Sequence, residues 1–193
     1  VGFTAPVSAR AYAYITLAMF ESNVFDDSKN ESLSNQLNAF KRTIWLNPLK
    51  SSQSIDKVII ANRTLYKVIS YLYRAMPSSN HLEIESMYDS INNECISIAN
   101  YQSSYNLPMI LPIDKLLSFS DHLAEEIIAY SKLDGADTSF RNNYPNSFKA
   151  PKCIECWTKT TPGYLRSLLP YWGMNRQFLK NSHLSSDGCE LFE

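Results

Sequence analysis

Pro6-Val7-Ser8-Ala9-Arg10-Ala11-Tyr12-Ala13-Tyr14-Ile15-Thr16-Leu17-Ala18-Met19-Phe20-Glu21 reads as one amphipathic helix. Val7, Ala11, Tyr14, Ile15, Ala18 and Met19 recur at three- and four-residue spacing and form one apolar stripe. Thr4 stands where an N-cap belongs, and Pro6 falls in the first turn, where a missing N–H costs nothing. The stripe ends near Asn23, and a polar loop follows over 26–30.

The same periodicity recurs downstream. Ser32 is placed to cap a second helix through Leu33, Leu37, Phe40 and Ile44, which Asn47-Pro48 would end. After a turn at 51–54, a third helix carries Ile55, Val58, Ile59, Leu65, Tyr66, Ile69 and Leu72 as its buried face. Met76-Pro77 closes it, and Ser78 or Ser79 caps a fourth whose apolar positions are Leu82, Met87, Ile91, Cys95 and Ile98. A fifth helix spans about 112–133, lined by Leu116, Leu117, Leu123, Ala124, Ile127, Ile128 and Tyr130. Gly135 sits where a left-handed stop is expected.

No run alternates with the period of a half-buried strand. The expectation is an all-α fold, an antiparallel bundle of about five main helices over 1–135. Over 136–193 a loop-rich extension follows, packing on the same single domain. Turn formers dominate 142–152, and a short last helix is expected from Pro162, with Tyr164, Leu165, Leu168 and Leu169, to Trp172-Gly173.

The chain has 193 residues, 45% of them hydrophobic and 19% charged, enough to bury a core without metals or disulfides. Eighteen basic and nineteen acidic residues leave no cationic surplus to neutralise phosphates, which argues against nucleic acid as a partner. No apolar run approaches the roughly 20 residues of a transmembrane helix. Five glycines in all speak against a Gly-rich phosphate loop. Cys153-Ile154-Glu155-Cys156 is a lone C-x-x-C unit; a disulfide or free thiols is its first reading, and metal ligation by Cys153 and Cys156 a weaker one. His122 and Glu126 share a helix face at i and i+4, and read as a solvated polar stripe before a metal pair.

Three stretches carry a family resemblance. The first is Pro6-Val7-Ser8-Ala9-Arg10-Ala11-Tyr12, leading to Phe20-Glu21, and the second Ser32-Leu33-Ser34-Asn35-Gln36-Leu37-Asn38. The third is Trp157-Thr158-Lys159-Thr160-Thr161-Pro162-Gly163-Tyr164, continuing through Pro170-Tyr171-Trp172-Gly173 to Arg176-Gln177-Phe178-Leu179. Together they resemble the region ahead of the catalytic half in vanadium-dependent haloperoxidase-like proteins, relatives of the type-2 phosphatidic acid phosphatases.

The resemblance implies a chemistry that lies elsewhere. In that family a Lys and an Arg, a Ser-Gly-His, and a further Arg and His hold vanadate or a substrate phosphate. His81, His122 and His183 all lack the Ser-Gly context, so no catalytic and no cofactor-binding residue carries over. The implied role is a non-catalytic N-terminal helical domain, and its implied partner is a C-terminal catalytic bundle beyond Glu193. That bundle would hold the vanadate or phosphate. Trp172, Arg176, Phe178 and Leu179, next to the expected junction, are the candidate interdomain docking residues. Relatives of this kind are often exported, which a disulfide would suit. A stand-alone helical protein-binding module is the alternative. Glu21 near a helix C-terminus opposes the helix dipole and therefore calls for a partner, Arg10 or a group in the catalytic half; Arg42 is a further cation that could pair with it.

Overall fold

The computed structural model describes residues 2–24, 30–43, 54–104 and 112–179. Among them are four α-helices: α1 Ala5–Asn23, α2 Ser54–Leu72, α3 Ser78–Ser104 and α4 Ile113–Lys132. Two single 3-10 turns follow, Ser139–Arg141 and Trp172–Met174. No strand occurs among the described residues; Leu37 and Leu179 form one isolated antiparallel bridge. None of the described helices is long and apolar enough to cross a membrane.

α1 starts as its sequence dictates, with Thr4 extended and Pro6 in the first turn. The Thr4 hydroxyl does not cap the helix. It donates instead to the Asn143 side-chain oxygen at 3.2 Å, tying the N-terminus to the extension. α2 packs against α1, α3 and α4 and so holds the bundle together. The core brings Tyr14 and Ala18 of α1 and Ile60 and Val68 of α2 against Leu116, Leu123 and Ile127 of α4, with Phe40 added from the segment after α1. Each fully buried aliphatic side chain of this kind stabilises by about 1.5–3 kcal/mol relative to exposure.

The expected second helix at Ser32 does not form. Gln36 and Leu37 both donate their N–H to the Leu33 carbonyl, and Asn35 and Ala39 take left-handed φ of 65° and 61°. Left-handed backbone at a residue with a Cβ costs about 1–2 kcal/mol. Long-range bonds offset that cost. The Leu33 N–H is taken by the Glu21 carboxylate at 2.7 Å, and the Asn38 N–H by the Phe178 carbonyl at 2.7 Å. The Asn38 donor is thereby lost to a helix ladder, while the Leu33 N–H, at the first helical position, has no ladder acceptor in any case. Ile44, Asn47-Pro48 and the 51–54 turn lie outside the described residues. The bundle therefore has four helices among the described residues, where five were expected.

The short helix from Pro162 is likewise absent. Tyr164 and Leu169 adopt φ of 44° and 45°, which interrupts any helical run, and only the turn Trp172–Met174 remains. Burial also differs on α3. Leu82, Met87, Ile91 and Ile98 are exposed, and Cys95 and Ala99 form its buried contact. Met19 and Val58 are exposed too. α4 and its stop agree with expectation: Gly135 has φ 91°, and a Cβ there would lie 2.9 Å from the Asn175 side-chain oxygen. The left-handed φ is what calls for glycine, since the Asn175 side chain can move aside.

Candidate functional site

A groove of about 420 Å³ runs between α1 and the segment that closes the extension. Pro6, Ala9 and Ala13 make one wall, and Trp172, Gln177 and Phe178 the other. The small α1 residues, three and four apart on one face, leave room for it. Arg10, Asp134 and Arg176 line it between the walls.

Asp134 organises this charged floor. It follows the C-terminus of α4, where the helix dipole disfavours an acid. Four donors offset that. Arg10 Nε donates at 2.5 Å, Arg10 Nη2 at 3.2 Å, the Tyr14 hydroxyl at 2.9 Å and the Ala136 N–H at 2.8 Å. Arg176 donates from Nη2 to the Tyr14 hydroxyl at 3.1 Å and to the Tyr130 carbonyl at 2.8 Å, and its guanidinium lies 3.7 Å from the Tyr130 ring centroid. The Arg176 N–H also donates to the Asp134 carbonyl at 2.9 Å, which fixes the closing segment to the end of α4. Burial first, then the Asp134 charge and hydrogen bond, pushes the Tyr14 phenol far above its ordinary range, against the opposing pull of Arg176 and Arg10. Tyr14 is thus a neutral donor throughout the ordinary pH range.

Three further acids hold cations. Glu21 is fully buried and accepts from Arg42 Nη1 at 2.8 Å, the Ser32 hydroxyl at 2.8 Å and the Leu33 N–H at 2.7 Å. Its partner is Arg42, and Arg10 is engaged at Asp134 instead. Asp137 accepts from Arg74 at 2.8 Å and from the Tyr71 hydroxyl at 2.9 Å. Asp121 takes Arg63 at 2.7 Å and Lys67 at 3.0 Å. Burial raises the Asp121 carboxyl, and the hydrogen bonds from Arg63 and Lys67 outweigh it, so the group sits below its ordinary value.

This donor set does not fit an oxyanion such as vanadate or phosphate. Such a group needs several cations converging on open space. Here Arg10, Arg42, Arg63 and Arg74 each face a carboxylate. His122 Nδ1 lies 2.7 Å from the Ser118 carbonyl on an exposed face of α4, and Glu126 accepts from the Thr43 N–H at 2.7 Å, so the i, i+4 pair is polar surface structure. Cys153 and Cys156 are joined in a disulfide, and among the described residues no group of three or more His, Cys, Asp and Glu is placed to hold a metal.

The structure gathers Trp172, Arg176 and Phe178 along the groove. Phe178 packs on Tyr14 and Tyr130, with ring centroids 5.1 and 6.1 Å apart, and Trp172 packs on Val7, Phe140 and Leu169. Leu179 is 60% exposed at the bridge to Leu37. The sequence reading placed a helix stop at Gly135 and gave its neighbour Asp134 no role. The signal that finds its role is the one that singled out Glu21, an acid at the wrong end of a helix.

One solved structure, "Crystal structure of the first bacterial vanadium dependant iodoperoxidase", matches with a TM-score of 0.59 at 16% identity, over 93% of this chain and 38% of that chain. The fold is haloperoxidase-like. No protein-family model matches the chain, and no curated protein matches it in sequence. This haloperoxidase-like helical unit spans 38% of the length of the enzyme it matches.

Proposed function

We propose that the chain is a non-catalytic helical domain that packs against, and partly shapes, the catalytic bundle of a haloperoxidase-like enzyme. One observation carries this reading: the likeness takes in 93% of this chain and only 38% of the enzyme. The arginines support it, since those at Asp134, Glu21, Asp121 and Asp137 are spent on structure. Residues 136–179 act with the helices as one domain: Phe178 packs against the helical core, and Leu169 and Trp172 cluster with Phe140 on Val7 of α1. The catalytic bundle docks along the groove between α1 and the closing segment, against Trp172, Arg176, Phe178 and Leu179. The vanadate belongs to that bundle. The parent reaction is peroxide-dependent halide oxidation, with phosphoester hydrolysis as the second candidate from the sequence resemblance. The Cys153–Cys156 disulfide suits an oxidising, exported setting.

The test compares this chain with the product of its whole reading frame. Each is supplied with vanadate, hydrogen peroxide and iodide, and separately with a chromogenic phosphate ester. The chain alone turns over neither substrate, and the longer product turns over one. Turnover by the chain alone overturns the proposal.

A further inference from the structure

Two surfaces remain that the groove does not use. The first is an arm, residues 149–166. Its neck is closed by the Leu169 N–H donating to the Asn143 carbonyl at 2.8 Å, by Arg166 bonded to Asn146, and by Phe148 edge-on to Tyr171 at 5.7 Å. Beyond the neck every residue of the arm is exposed except the half-buried Cys156. Ile154, inside the Cys153–Cys156 staple, is fully exposed, and Trp157, just after it, half so. The arm holds four basic residues, Lys149, Lys152, Lys159 and Arg166, against one acid, Glu155.

The second surface is the outer face of α3. Glu83, Met87, Ile91, Glu94 and Ile98 follow one another at four, four, three and four residues and are all exposed. This is one continuous helical stripe, apolar with acids set into it. A shallow groove beside it is lined by Leu82, Met87 and Ile91. α3 carries four acids and no Lys or Arg. No ion pair among the described residues involves these acids or the arm's lysines.

The arm and α3 therefore match in charge and in apolar content, and within one chain they do not cover one another. We propose that they meet between two copies, the arm of one seated on the α3 stripe of the other. Ile154 and Trp157 cover Met87, Ile91 and Ile98, and Lys152 and Lys159 face Glu83 and Glu94. Packing α3 on a second α3 is disfavoured, since Glu83 and Glu94 would meet acids with no base on either helix. A two-fold axis engages both arms at once, doubles the buried surface and closes the assembly. Aromatic anchors ringed by complementary charge are typical of such contacts. This pairing uses neither wall of the docking groove and does not depend on the catalytic reading.

The test is sedimentation of the 193-residue chain from about 1 to about 100 µM, the range of weak protein–protein contacts. The chain dimerises, and more weakly at high salt. Lys152→Glu with Lys159→Glu raises the dissociation constant at least about tenfold. Glu83→Lys with Glu94→Lys does the same. The four changes together restore association to within about threefold of the parent, by re-pairing opposite charges. All four sites are exposed, and unchanged melting of each variant verifies the fold. A monomer throughout the range overturns the proposal, and so does a dimer indifferent to both charge sets. Binding of phosphatidylserine vesicles that the arm variant alone abolishes also overturns it, by assigning the arm to a lipid surface.

Discussion

α4 and α3 are both long helices with apolar positions at helical spacing, yet they have opposite fates. α4 buries Leu116, Phe119, Leu123, Ala124, Ile127 and Tyr130 against α2 and α1. α3, the longer of the two, rests mainly on α2 and buries Cys95 and Ala99. Amphipathic periodicity says that a helix has a face to bury. It does not say that the chain supplies something to bury it. The pair also differs in charge: in α4 Asp121 is spent on Arg63 and Lys67, while α3 leaves its acids in solvent.

Breaking the buried side of this comparison has the largest effect. Glu21→Ala leaves the Arg42 guanidinium buried beside apolar groups and strands the Leu33 N–H. A loss of about 3–5 kcal/mol is expected in urea unfolding, since one partner of a buried pair is left uncompensated. Leu123→Ala opens a cavity on the buried face of α4 and costs about 2–5 kcal/mol by the same measurement. Its counterpart on the exposed side, Met87→Ala, changes monomer stability by less than about 0.5 kcal/mol. If the two substitutions cost the same, the contrast between the helices fails.

Proton linkage sharpens the comparison. Tyr14 is raised in the folded state, so its contribution is complete below the unfolded phenol value of about 10 and is lost as the pH rises above it. Tyr71, Tyr73 and Tyr130 are raised too, chiefly by burial, and act in the same direction. Stability should fall above about pH 10, each group adding at most about 1.4 kcal/mol per pH unit to the slope. Tyr14→Phe flattens that fall in part, and an unaltered slope removes Tyr14 from the account. Asp121 runs the other way: its lowered value gives stability above about pH 4 that is lost as the pH falls through the folded value. The Asp121 pair is about a third exposed, so Asp121→Asn costs less than about 1 kcal/mol at neutral pH and progressively less toward about pH 2, as the carboxylate is protonated. Paired melts at the two pH values measure the difference.

Legibility in the sequence followed the range of the interactions. α1, α2, α3 and α4 lie where stripes, proline positions and Gly135 placed them, because those signals act within a few residues. The 32–43 segment carries a helical stripe but forms no helix, because its Asn38 donor answers to Phe178, 140 positions along the chain. Arg176 and Phe178 were noticed through the resemblance. Asp134, whose carbonyl anchors the Arg176 N–H, was not, since its carboxylate's link to Arg10 spans 124 positions.

Composition and periodicity alone settled that this chain is helical and placed α1 to α4, because helix propagation and termination are local, but they also placed helices at Ser32 and Pro162 that do not form. The partners were set by tertiary packing: which acid takes which arginine, which helix is covered, and which segment gives up its helix to serve a buried carboxylate. Those outcomes depend on burial, and burial is created only when distant parts of the chain exclude water together.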